Sequence, residues 1–130
     1  MTITPPDLKY TKEHEWGRAE GGDVVVGITQ YAAQQLGDVV FVELPKIGAV
    51  LTAQAPFGVV ESVKSVSDLF APVSGTVTAI NEDLLAAPEK VNEDPYGAGW
   101  MVRIRPADPG QMDQLLSAEA YRSLLAQSDH

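Results

Sequence analysis

The sequence predicts a mainly β domain: a flattened barrel or sandwich of short strands, with short accessory helices and a helical segment at the C-terminus. Short β-prone runs recur at close spacing with Gly, Pro, Asn and Asp between them, which is the pattern of packed antiparallel strands. Near the C-terminus the pattern changes. Met112, Leu115, Leu116, Tyr121, Leu124 and Leu125 recur at three- and four-residue spacing, which is helical. The 130 residues, 45% of them hydrophobic, make one domain, residues 1–130, with a modest core.

Residues 1–8 contain Pro5-Pro6 and read as a loose lead-in. His14 to Arg18 reads as a strand, Gly21-Gly22 as a turn, and Asp23 to Ile28 as a buried strand. Thr29 suits the N-cap of a short helix over Gln30 to Leu36, which Gly37 stops. Asp38 to Glu43 is a strand closed by Pro45, Lys46-Ile47-Gly48 a turn, and Val50 to Ala53 a short extended piece. Thr76 to Ile80 is a further strand, and Asn81 caps a helical turn through Leu85. Ala86 to Gly99, rich in Pro, Asn, Asp and Gly, reads as a connecting loop. Trp100 to Arg105 alternates as a half-buried strand. The C-terminal helical segment covers about residues 111–126, with a break near Ser117, and the last residues fray.

Between these elements lies FGVVESVKSVSDLFAPVSGTV, Phe57 to Val77. Two β-prone arms, Phe57 to Val63 and Val66 to Val73, flank Lys64-Ser65, and no Gly or Pro falls between Val59 and Ala71. This predicts a hairpin with a tight reversal at Lys64-Ser65, although the Asn-Gly signal is missing. Lys64 then stands at the tip with its ammonium in water. A lysine there is ordinarily only a solvated charge, but the chain has five lysines in all, and this one is alone in a long apolar hairpin.

Composition excludes several function classes. The net charge of −9 opposes nucleic acid, which needs a basic footprint, and anionic membrane surfaces. It fits solubility and basic docking surfaces on partner proteins. No apolar run is long enough to span a membrane. The N-terminus lacks the pattern of a secretory signal or transit peptide, so the expectation is a bacterial cytoplasmic protein. Without cysteine there is no disulfide, thiolate metal site or thiol nucleophile. His14 and His130 are too few for a histidine-rich metal site. Gly97-Ala98-Gly99 precedes a strand and is no dinucleotide motif.

Four segments carry a resemblance. Glu61 to Asp68 with Ala71 to Gly75, Tyr10 to Trp16, Gly37 to Pro45, and Val91 to Trp100 together resemble the glycine cleavage system H proteins in family order, over about Leu8 to about Leu125. The resemblance implies the lipoyl/biotinyl-carrier type of sandwich and a monomer that is not itself an enzyme. It implies lipoate bound covalently to Lys64, attached by a lipoate-attaching enzyme that recognises Glu61, Ser67 and Asp68. It implies three further partners: glycine decarboxylase (the P protein), which loads an aminomethyl group; aminomethyltransferase (the T protein), which removes it; and dihydrolipoyl dehydrogenase (the L protein), which reoxidises the dithiol. The loaded arm is expected in a cleft formed by Glu15, Glu13, His14 and Asp68, with Glu15 as the main carboxylate. Glu13 and Glu15 equally suit solvated strand positions, and His14 suits packing beside Trp16.

Two positions depart from the family pattern. Gly17 stands where an apolar residue is usual, and Gln34-Gln35-Leu36 lacks the histidine some members carry in this helix. Two other readings remain. A biotinyl carrier would flank its lysine with methionines, whereas Val63 and Ser65 flank Lys64; a lipoate relay to other carriers is not separable by sequence.

Overall fold

The computed structural model of the chain describes residues 3–128; Met1, Thr2, Asp129 and His130 lie outside the described residues. The fold is the mainly β architecture expected, with two antiparallel sheets. The larger sheet contains β1 (Lys9–Tyr10), β2 (Glu15–Glu20), β3 (Asp23–Ile28), β9 (Val102–Pro106), β8 (Gly75–Ile80) and β5 (Val50–Leu51), in that spatial order. The smaller sheet has β4 (Val39–Glu43), β6 (Pro56–Ser62) and β7 (Val66–Phe70), with β6 in the middle. Helix α1 spans Gln30–Leu36, and two single-turn helices, α2 (Asp83–Ala86) and α3 (Lys90–Glu93), follow β8. A 3₁₀ segment, Pro109–Gln114, leads to α4 (Ala118–Ser128).

β3 explains the arrangement. Its run DVVVGI is apolar at successive positions, as in a strand covered on both faces. Val24, Val26 and Ile28 enter the main core between the sheets, with Val42, Val60, Leu69, Val77 and Ile104. Val25 points the other way, into a second cluster with Leu8, Tyr10, Trp16 and, from α4, Tyr121 and Leu125. The apolar stripe of the C-terminal helix therefore packs on the outer face of β1–β3.

Gly27 is the one β3 residue with no side chain, and its neighbour shows why. It pairs with Trp16 across the ladder, and a Cβ there would lie 2.8 Å from three atoms of the indole ring. Trp16 is fully buried and donates its Nε1–H to Pro95 O at 3.0 Å, so it cannot swing away cheaply. Gly27→Ala should cost about 1–3 kcal/mol, the ordinary range for overpacking, measurable as a lower urea midpoint at unchanged m-value. Gly17 is also accounted for: a Cβ there would lie 3.3 Å from Val24 and 3.4 Å from the Met112 sulfur, so the 3₁₀ segment fills the space an apolar side chain would take.

Several expectations are corrected. The lead-in is not loose from Ile3 onward. Thr4 and Leu8 are buried, Tyr10 Oη donates to Pro5 O at 2.6 Å, and Arg122 donates to Thr4 O at 3.1 Å. The stretch Ala86 to Gly99 is not only a loop, because α3 forms in it around the buried Val91. The last strand starts at Val102, not Trp100, and the second hairpin arm ends at Phe70, short of Ala71-Pro72-Val73. β1, only two residues long, gave no period in the sequence. Asn81 meets its expectation differently: it accepts from Asp83 N at 3.2 Å and also spans to Ala98 O and Trp100 O, both at 2.8 Å.

Candidate functional site

β6 and β7 form the expected hairpin, in the register Glu61↔Val66, Val60↔Ser67 and Val59↔Asp68. The reversal is Val63-Lys64-Ser65, and all three residues are exposed. Ser62 makes it rigid. Its backbone N–H donates to Ser65 O at 2.8 Å. Its hydroxyl oxygen, in a side chain only 6% exposed, accepts from Ser65 N at 3.1 Å and Lys64 N at 3.3 Å. One side chain thus does what an Asn-Gly turn would do with backbone angles alone. Val63 N–H donates to Asp38 O at 3.1 Å, tying the tip to the start of β4. The junction below is laced by Asn92 of α3, which donates to Gly37 O at 2.7 Å and accepts from Val39 N at 2.9 Å. Gly37, at φ 78°, leaves room for the Lys64 stem passing over it.

Among the described residues, no ion pair engages the Lys64 ammonium. It is a primary amine on a braced stalk, held in water, with no neighbouring base, which suits acylation by another enzyme better than catalysis. Ser62→Ala should remove the hydroxyl acceptor of the two tip amides. A loss of about 1 kcal/mol is expected, with faster amide hydrogen exchange at Lys64 and Ser65 as the local readout.

Beside the hairpin lies a cleft of about 340 Å³, whose lining includes Glu13, His14, Glu15, Gln35, Ser67 and Asp68. The structure therefore brings the four expected arm-cleft residues together. It also places Ser67 there, and Gln35 of α1. Glu61 is not among them: it is exposed on β6, between Phe41 on β4 and Val66 on β7.

The residues of the cleft differ in kind. Glu13 and Asp68 are exposed, but Glu15 is 2% exposed, which rules out a solvated strand position. Thr11 Oγ1 donates to Glu15 Oε1 at 2.6 Å, and Phe70 N–H donates to Oε2 at 3.3 Å. Burial pushes the Glu15 carboxyl up to about 7, against the two hydrogen bonds that favour its charge. Glu15 also borders a second cleft of about 350 Å³ on the side of Gln54 and Pro72.

His14 takes the left-handed conformation, φ 73°, at the end of the β1–β2 turn, where its N–H donates to Thr11 O at 3.2 Å. Among the described residues, its ring contacts are with tyrosines and not with Trp16. The ring lies against Tyr31 and Tyr121, with centroids at 4.9 and 5.7 Å, and its Nδ1 is 2.8 Å from Tyr121 Oη. Burial lowers the imidazole below the usual histidine value, with Glu13 opposing.

Reading the sequence missed Ser62, Asn92, Thr11 and Tyr121. Asn92 and Tyr121 act through tertiary hydrogen bonds, while Ser62 and Thr11 brace turns through partners two to four residues away, and the only trace was that Ser62, Asn92 and Thr11 fell inside the family segments.

The comparisons with known proteins agree with this geometry. The family described as glycine cleavage H-protein matches residues 8–128. A glycine cleavage system H protein of Magnetococcus marinus is 62% identical over 121 residues, covering 93% of this chain and 86% of that one. Another, of Mycobacterium avium, is 58% identical over 132 residues, covering 98% and 100%. A crystal structure of a glycine cleavage system H protein from Mycobacterium marinum, 41% identical, superposes with a TM-score of 0.84 and covers 97% of this chain and 99% of that one. Sequence and structure agree over almost the whole domain, and the chain belongs to the glycine cleavage H-protein family.

Proposed function

We propose that Lys64 is the covalent attachment point of a lipoyl group and that the protein is the mobile carrier of a bacterial, cytoplasmic glycine cleavage system. The observation that carries this reading is the exposed Lys64 amine, free of ion pairs among the described residues, on a hairpin tip braced by Ser62 in a member of this family. A lipoate-attaching enzyme would acylate Nζ, and Glu61, exposed three residues before Lys64, lies on its approach. Held on Lys64, a lipoyl group would supply a redox-active sulfur pair for aminomethyl carriage between a pyridoxal-phosphate glycine decarboxylase and a tetrahydrofolate-dependent aminomethyltransferase, with a dihydrolipoyl dehydrogenase to reoxidise the dithiol.

The chain's own residues hold and shelter the arm. Ser62 fixes its root. The cleft offers carboxyls from Glu13, Glu15 and Asp68 to a protonated amine, the charge-assisted pairing such a group needs when it leaves water. Glu15 is the main partner because it alone is buried.

The test is the intact mass of protein purified from its own cells, with peptide mapping of Lys64. A lipoyl increment on Lys64 is expected. An unmodified Lys64 in cells that lipoylate other carriers would overturn the reading, and a biotinyl increment would move the protein to carboxylase chemistry.

A further inference from the structure

The hydrogen bonds behind His14 have a direction. Thr29 Oγ1 is fully buried and already accepts Ala32 N–H at 3.2 Å as the cap of α1. Among the described residues, the only acceptor for its own proton is Tyr121 Oη, 2.8 Å away. Tyr121, having received that hydrogen bond, has its own proton left for His14 Nδ1 at 2.8 Å. Nδ1 is then an acceptor, and the neutral ring carries its proton on Nε2. Nε2 has no hydrogen-bond partner among the described residues, and no buried side-chain nitrogen there lacks one, so Nε2 is reached by solvent. His14 lines the cleft, and Nε2–H is what it presents.

We propose that the Thr29–Tyr121 relay holds His14 as a neutral Nε2–H donor in the wall of the cleft, keeping that wall free of positive charge while its carboxyls receive a cationic group. The second half rests on the carrier reading above; the first half does not. Protonating His14 would require Nδ1 to donate. Tyr121 Oη then has to accept from Nδ1, and either its own proton or that of the buried Thr29 is left without an acceptor, so the relay resists protonation in addition to burial. Among the described residues, the titratable groups around the ring are the carboxyls of Glu13, Glu15 and Asp68 and the phenols of Tyr31 and Tyr121, and no lysine or arginine lines the cleft. A charged His14 would thus be the cleft's one cation, in competition with the cargo. Tyr121 and Thr29 are positioning residues, since they act only through His14.

The experiment uses ¹⁵N-histidine-labelled full-length protein. Nitrogen–proton correlation spectra are recorded across the histidine titration range, and His14 is assigned with His14→Gln. The neutral Nε2–H pattern and a midpoint below the usual histidine value are expected. A predominant Nδ1–H pattern in the unaltered protein would overturn the relay, whatever any variant does. Tyr121→Phe keeps the ring stacked on Tyr10 at 4.7 Å. It should let Nδ1–H appear and raise the midpoint, whereas Thr29→Ser, which retains the hydroxyl, should change neither. An unchanged tautomer and midpoint in folded Tyr121→Phe would also overturn the relay. In lipoylated, aminomethyl-loaded protein, Tyr121→Phe should shorten the lifetime of the loaded form at mildly acidic pH, where His14 is then charged. A lifetime equal to that of the unaltered protein there would overturn the role in the cleft. Absence of the lipoyl mass on Lys64 would overturn the carrier reading and leave the tautomer result standing.

Discussion

Lys64→Arg is expected to abolish carrier function while leaving the fold intact. The side chain is exposed and makes no ion pair among the described residues, and the turn is held by Ser62 and by backbone groups. A surface change of this kind alters stability by about 0.5 kcal/mol or less. The chemistry is far less tolerant. Arginine keeps the charge and the length, but its delocalised, always protonated guanidinium is not a nucleophilic primary amine. The variant should therefore purify with the mass of its sequence alone, unfold at the same urea midpoint, and support no glycine-dependent turnover with the partner enzymes. Full turnover by the variant would mean that the working group is carried elsewhere. Loss of turnover with a lowered midpoint would mean that Lys64 matters to the fold and not to acylation.

Much of the fold was legible in the sequence because its signals are local. The β3 run is apolar at successive positions, and the strand is buried on both faces. Thr29 and Gly37 bound α1 as cap residues should, with Thr29 accepting Ala32 N–H. The hairpin declared itself through two apolar arms around one polar pair. What the sequence hid is tertiary. The lead-in looks loose because Pro5-Pro6 and polar neighbours carry no period, yet Tyr96 Oη donates to Ile3 O at 2.8 Å from far along the chain. α3 is one turn long and its propensities are weak; its own Val91 and Asn92 hold it to the rest of the fold, through burial and through the bond to Gly37 O. For the candidate site, the meeting of Glu13, His14, Glu15 and Asp68 came from the family resemblance. No spacing rule joins β2 to β7, and none distinguishes the buried Glu15 from the exposed Glu13.

Glu15→Gln should make the protein more stable at neutral pH and a worse holder of cargo. The Glu15 carboxyl is raised from its ordinary 4.5 to about 7, first by burial. Its folded-state value lies above its unfolded one, so in this window the folded protein binds more proton than the unfolded chain. The contribution of Glu15 to stability is then fully present below about 4.5 and is lost as pH rises through about 7, where the buried group must ionise. A gap of about 2.5 units, from 4.5 to about 7, corresponds to on the order of 3 kcal/mol. Glutamine cannot ionise, so the variant should lose this slope, less a hydrogen-bond loss of about 1 kcal/mol where its amide nitrogen replaces an accepting oxygen. Urea unfolding of both proteins from about pH 5 to pH 8 isolates Glu15, because every other titrating group is common to the pair. Parallel curves would show that Glu15 is ionised in the folded state throughout. The cost has a use only if something cationic enters. A protonated amine beside Oε2 would draw the carboxyl to its charged form, a gain in binding that the neutral glutamine cannot match. The aminomethyl-loaded variant should accordingly decay faster in solution; if its lifetime were unchanged, the buried carboxyl would be a burden on stability with no part in holding the arm.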